Sequence, residues 1–204
     1  MTEAEAQQWI VDHHGVSRGT LLARFVEMVV AESRQQNLIS RTSMDAIWRR
    51  HVVDSAQLLC FSPPKIGHWV DIGTGAGFPG MVIALLSDWS MTLVEPRRRR
   101  AEFLARVLGA FDIANRVTVA TRKVEYLNRA ADVISARAVA PLGALFTAGA
   151  GVSRRNSLWI LPKGTTALEE VAQAQQSWHG VFHVEHSITE PGSLIVTVKG
   201  VHAK

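Results

Sequence analysis

The sequence predicts an α/β protein: a mostly parallel seven-stranded sheet, an antiparallel hairpin closing its C-terminal edge, and a helical cap at its N-terminus. Three observations carry this reading. The first 65 residues show helical periodicity and no strand pattern. From residue 66 onward, short apolar runs alternate with helical segments, the mark of a parallel sheet covered by helices. The last two apolar runs are separated only by Thr189-Glu190-Pro191-Gly192, a connection too short for a parallel crossover.

In the cap, Leu21, Leu22, Phe25, Val26, Val29 and Val30 recur at helical spacing within residues 18–36. A second helix is expected from Thr42 or Ser43 as N-cap to about residue 60, stopped by Pro63-Pro64. Phe25 and Trp48 read as core. Strands are then expected at 68–72 (HWVDI), 91–95 (MTLVE), 116–120 (RVTVA), 131–136 (ADVISA) and 157–162 (SLWILP). Helices fall between them near 79–87, 97–110 and 140–151, with another at 165–177. The hairpin takes 181–188 and 193–199. The expected organisation is one domain over 1–204, a helical extension at 1–65 and a catalytic core at 66–204.

Composition narrows the class. Apolar content of 47% and charged content of 20% are those of a globular protein. No apolar run reaches 18 residues and the N-terminus is acidic and mixed, which argues against a membrane span or a signal peptide. Cys60 is the one cysteine, so neither a disulfide frame nor a thiolate metal cluster is expected, and a cytoplasmic location fits. His183 and His186 fall on opposite faces of their strand, and no metal centre is expected. With no exposed apolar stripe in the pattern, a monomer is expected. The net charge of +4 comes from 17 arginines and 5 lysines, with the excess in residues 66–130. Such a bias is compatible with nucleic acid and does not by itself demand it.

The chemistry gathers at HWVDIGTGAGFPG, residues 68–80. Gly73, Gly75 and Gly77 permit a tight turn with close ligand approach, and Pro79 suits a helix's first turn. Gly75, Gly77 and Gly80 also satisfy the dinucleotide pattern G-x-G-x-x-G, a weak signal alone. Asp71 discriminates, because a carboxylate there repels a pyrophosphate seated on the helix N-terminus. It welcomes the ammonium and sulfonium of S-adenosylmethionine. Glu95 lies 20 residues after Gly75, where a carboxylate accepts ribose hydroxyls of either ligand. The reading is therefore a Rossmann-like fold binding S-adenosylmethionine, with a nicotinamide nucleotide or a purely structural turn as alternatives.

The chain resembles the ribosomal RNA small subunit methyltransferase G family, also called glucose-inhibited division protein B. The resemblance rests on Asn37-Leu38, on Arg50 to Ser55 (RHVVDS), and on Asp71 to Gly80 (DIGTGAGFPG). It continues through Val124-Glu125, Ser135 to Ala138 (SARA) and Leu161 to Gly164 (LPKG). It implies an S-adenosylmethionine-dependent enzyme that methylates N7 of one guanine in small-subunit ribosomal RNA, naked or in the 30S particle. It assigns Gly73, Phe78, Val124, Glu125 and Arg137 to the cofactor. Asn37, His51 and Asp54 it places in the cleft beside the cofactor.

Guanine N7 carries a free lone pair and no proton, so no general base is sought. Orientation of the reacting atoms should supply the rate. Lys163 and Arg137 follow strands at the ends where ligands gather. Lys163 is expected to donate to the base, and Arg137 to organise the pocket. Arg97, Arg98, Arg99 and Arg100 open a helix against its macrodipole, which points to phosphate binding. A non-catalytic RNA-binding or assembly protein that keeps this fold remains the competing reading. A nicotinamide oxidoreductase is disfavoured by Asp71.

Overall fold

A computed structural model describes residues 1–204. Seven strands form one sheet in the order β3-β2-β1-β4-β5-β7-β6. They are β1 (His68–Ile72), β2 (Ser90–Val94), β3 (Val117–Ala120), β4 (Val133–Ala136), β5 (Leu158–Lys163), β6 (Trp178–His186) and β7 (Leu194–Ala203). Strands β1 to β5 run parallel, and β7 enters antiparallel between β5 and the edge strand β6. The chain winds outward from β1 in both directions, so the order reverses between β1 and β4. Ligands of open α/β sheets bind at that switch point, beyond the carboxyl ends of the strands.

All five residues of β1 are buried, because both faces of the sheet are covered. Alternate strand residues serve two cores. Trp69, Met91, Leu93, Val133 and Ile160 join α5 (Gly80–Leu86), α6 (Arg98–Ala110) and the N-terminal helices. Val70, Ile134, Trp159, Leu161 and Val196 pack against α7 (Leu142–Ala148) and α8 (Ala167–Ser177) on the other face. Phe25 and Trp48 belong to the first core, so the cap shares its hydrophobic cluster with the sheet.

The cap differs in detail from its sequence pattern. A first helix, α1 (Glu3–His14), opens with a capping box between Thr2 and Glu5 and stops at Gly15, whose φ is 83°. Helix α2 (Val16–Ser33) follows. The single helix expected from residue 42 to 60 is broken into pieces. Ser40, not Thr42 or Ser43, caps the short α3 (Arg41–Met44). A π-helical turn spans Trp48–Val53, then come α4 (Asp54–Ala56) and a 3-10 turn at Gln57–Phe61. The break has a visible tertiary partner. The Glu3 carboxylate accepts the N–H groups of Trp48 (2.8 Å) and Arg49 (2.9 Å), satisfying donors at the start of the wide turn.

Candidate active site at the carboxyl ends of the strands

The glycine loop connects β1 to α5. Gly73, Gly75 and Gly77 all have positive φ, of 67°, 59° and 101°. At Gly77 an added Cβ would lie 2.9 Å from both Phe25 and Met81, so the cap and α5 exclude any larger residue. Backbone N–H groups of Gly73 and Thr74 donate to the Val94 carbonyl at the end of β2. Glu95, next in the chain, accepts from Gly75 N–H (3.0 Å) through one oxygen and from Arg97 N–H (2.8 Å) through the other. The carboxylate read as a ribose acceptor is thus also the clamp on the middle of the loop.

Asp71 departs from the direct ligand contact expected of it. Its side chain is fully buried and both oxygens are taken. Oδ1 accepts from Ser135 Oγ (2.6 Å), which faces it in the β1–β4 register, and Oδ2 accepts from Gly80 N–H (2.9 Å). Ser135 Oγ in turn accepts from Trp69 Nε1 (2.8 Å). Burial pushes the Asp71 carboxyl up to about 6, against the opposing hydrogen bonds from Ser135 and Gly80 and the nearby Arg137 charge. Asp71 therefore holds loop and helix start in place, and its full burial, rather than a lack of acceptor capacity, keeps it from the cleft.

Arg137 links core to cap. Its guanidinium donates to the Arg50 carbonyl (2.9 Å), to Asp54 Oδ2 (3.1 Å) and to His51 Nδ1 (2.7 Å). It also lies over the Phe78 ring at 5.5 Å, and His51 stacks on that ring at 4.9 Å. Because a guanidinium can only donate, His51 Nδ1 carries a lone pair and the ring's proton sits on Nε2. Burial first, then the charges of Arg137 and Arg50, lower the His51 pKa to about 3. His51 is neutral at physiological pH and poised to donate. Beyond Arg137 the chain turns through Ala138 at φ 54°, and Val139 packs over Gly73.

Lys163 is placed differently from its expected role. It lines a cleft of about 600 Å³ with Arg50, His51, Asp54 and Arg137, but its side chain is only 10% exposed. Its ammonium donates to Glu170 (2.8 Å) and the Ala140 carbonyl (2.7 Å). A buried ammonium needs a counter-charge, and here that pairing ties α8 to the loop after β4. Lys163, so paired, shapes the cleft wall.

The β6–β7 turn forms the far wall and had no place in the sequence-based site. Gln57 donates to Ser187 Oγ (3.0 Å) and accepts from Ile188 N–H (3.1 Å), while Thr189 Oγ1 donates to Asp54 (3.2 Å). Nothing in the sequence pairs residue 57 with 188, so only the folded chain reveals this wall. On the opposite flank, Arg97, Arg98 and Arg99 are exposed around the start of α6. Arg100 donates to the Asn37 carbonyl (3.0 Å), bringing the arginine run and Asn37 together beside the glycine loop. After β3, Val124 is buried and Glu125 exposed on a 3-10 turn.

This arrangement can bind one ligand along the loops after β1, β2 and β3 and a second in the cleft beyond β4 and β5. Residues 19–193 match a family profile described as "rRNA small subunit methyltransferase G". A ribosomal RNA small subunit methyltransferase G from Novosphingobium aromaticivorans is 44% identical, over 96% of this chain and 87% of its own. One of the same name from Zymomonas mobilis is 40% identical, over 100% and 96%. Among solved structures, an O-methyltransferase from Bacillus cereus in complex with SAH has TM-score 0.59 at 14% identity, covering 95% of this chain and 96% of that one. A putative S-adenosyl-L-methionine-dependent methyltransferase from Methanococcus maripaludis has TM-score 0.59 at 13% identity, over 80% and 93%. At such identities these structures establish the fold.

Proposed function

The chain belongs to the ribosomal RNA small subunit methyltransferase G family, and from that premise we propose that it transfers the methyl group of S-adenosylmethionine to N7 of a guanine in small-subunit ribosomal RNA. The observation that carries this beyond the family is the pairing of a positive-φ glycine loop with a polar cleft at the sheet's switch point.

The residues fit the cofactor. Three left-handed glycines leave the backbone approachable, and an added Cβ at Gly75 would meet nothing closer than 3.7 Å. Glu95 offers carboxylate oxygens at the end of β2, and Val124-Glu125 offer a buried apolar surface beside an exposed acid. Gly73, Gly75, Gly77, Glu95, Val124 and Glu125 are the proposed contacts, with Phe78 and Arg137 forming the inner wall. Asp71 acts through the loop it holds. When bound, S-adenosylmethionine supplies an electrophilic methyl on a sulfonium.

The chain's own contribution is positional. Guanine N7 needs no deprotonation, and His51, neutral and with its buried Nε2–H unpartnered, is suited to meet an acceptor rather than to take a proton. Arg137 locks His51 and Asp54 of the cap to the strand end that faces the glycine loop. This fixes the two halves of the site relative to each other, and such orientation can lower a barrier by up to roughly 7–11 kcal/mol. Arg97, Arg98 and Arg99, with Asn37 alongside, are the proposed phosphate contacts. The enzyme is proposed to act as a cytoplasmic monomer on naked RNA or the 30S particle.

Unmodified 30S subunits and labelled S-adenosylmethionine test this. Label should appear at one guanine that borohydride and aniline then cleave, since N7 methylation labilises the glycosidic bond. Cofactor binding without transfer would instead favour a non-catalytic RNA-binding role.

A further inference from the structure

Three carboxylates line the cleft, and two are spoken for. Asp54 accepts from Arg137, Gln57 and Thr189. Glu170 accepts from Lys163 and from Leu142 N–H. The Glu190 carboxylate, in the β6–β7 turn, accepts no hydrogen bond. Its nearest cations, Arg49 and Arg50, stand 3.9 and 4.0 Å away, and its side chain is 44% exposed. The turn that carries it is nonetheless fixed, because Gln57 and Asp54 hold the three preceding residues. A free acceptor on an anchored turn is prepared for a ligand that donates.

Its position says which edge of the ligand it meets. Across the strand ends the glycine loop after β1 comes first, and the walls of the cleft follow: Arg137 to Pro141 after β4, Pro162 to Gly164 at the end of β5, and Leu194 opening β7. Three strand spacings of about 4.8 Å separate the glycine loop from that last wall. A purine whose N7 faces the glycine loop turns its N1–C2 edge toward the far wall. Guanine presents two adjacent donors there, N1–H and the C2 amine. An ionised carboxylate only accepts and can take both. Adenine offers an acceptor at N1 and no amine at C2.

We propose that Glu190 is the residue that selects guanine, by accepting N1–H and the C2 amine of the base at the far wall of the cleft. This rests on the methyltransferase reading above. Arg49 and Arg50 offset the carboxylate's charge, so that it does not repel the RNA backbone.

The test uses the full chain and 30S subunits reconstituted with guanine or inosine, which lacks the C2 amine, at the methylated position. The wild-type protein should prefer guanine in kcat/KM by at least about tenfold, since a site built to accept a hydrogen bond rejects an analogue that lacks the donor. Glu190→Gln should reduce that preference to about threefold or less, with cofactor affinity and melting temperature unchanged. A Glu190→Gln protein that discriminates as well as the wild type overturns the assignment. So does a wild-type protein that treats both bases alike. Absence of transfer to either base by the wild type would remove the methyltransferase reading itself, and this assignment with it.

Discussion

The two halves of the site are held together by different means. On the side proposed for the cofactor, Asp71 and Glu95 spend their carboxylates on backbone N–H groups of the glycine loop and of the loop after β2, with partners 2 to 20 residues away apart from Ser135. On the side proposed for the substrate, Arg137, Lys163 and Gln57 join side chains and backbone groups from separate elements, with Arg137 and Gln57 reaching partners 83 to 131 residues away. The first half is a local device, rigid once strand and helix form. The second exists only when cap, sheet and hairpin have docked.

The largest expected effect falls on the local half. Asp71→Ala should leave Ser135 and Gly80 N–H unpaired in the core and cost about 3 kcal/mol in urea unfolding. It should also abolish cofactor binding in a filter assay. If binding survives, the loop does not depend on its buried carboxylate and the contrast collapses.

Next comes Arg137→Ala. It removes the only donor to His51 Nδ1 and one of those on Asp54, with a smaller stability loss of about 1–2 kcal/mol. Transfer should fall about 100-fold through misplacement of the cap, while cofactor affinity changes less. Arg137→Lys should not restore transfer, because a point charge cannot reproduce the fork. Equal losses of cofactor binding and transfer would show the halves to be one unit.

A pH series separates the halves by sign. His51 titrates near 6.5 unfolded and about 3 folded, so between these values the unfolded chain binds the extra proton and acid costs stability. Asp71 goes the other way. Between about 3.8 and 6 the folded chain holds the proton, so its contribution falls as pH rises through that window. His51→Gln should therefore flatten the acid loss measured from pH 7 to 4, and Asp71→Asn should steepen it, each by roughly 1–3 kcal/mol. The same direction in both variants would contradict these environments.

The smallest structural effect is at the rim. Arg98→Ala removes an exposed pair with Glu102 and should change stability by less than about 0.5 kcal/mol. The slope of log affinity for RNA against log salt should drop by about 0.7. An unchanged slope would leave the arginine run as a solvated helix start.

The local half was legible in the sequence because its cause is local. A strand, a glycine turn and a helix start specify one another within DIGTGAGFPG, and Glu95 follows from the strand that ends beside it. What failed there was Asp71's partner, since burial depends on Ser135 arriving from β4. The expected helix from 42 to 60 failed for the same kind of reason: Glu3, more than 40 residues away, takes the donors that start its wide turn. Lys163 was correctly placed at a strand end, yet its charge is absorbed by Glu170, one of many carboxylates that could have met it.

Periodicity, glycine placement and the carboxylates Asp71 in β1 and Glu95 after β2 thus determined the fold class and the loop proposed for the cofactor, because each is set by neighbours along the chain, whereas the strand order came from the fold. Tertiary structure alone decided which polar groups remain free. A side chain's availability is whatever the rest of the fold leaves unpaired: Asp71 and Glu190 are equally carboxylates in sequence, yet one is buried under hydrogen bonds and the other keeps only two long contacts with Arg49 and Arg50.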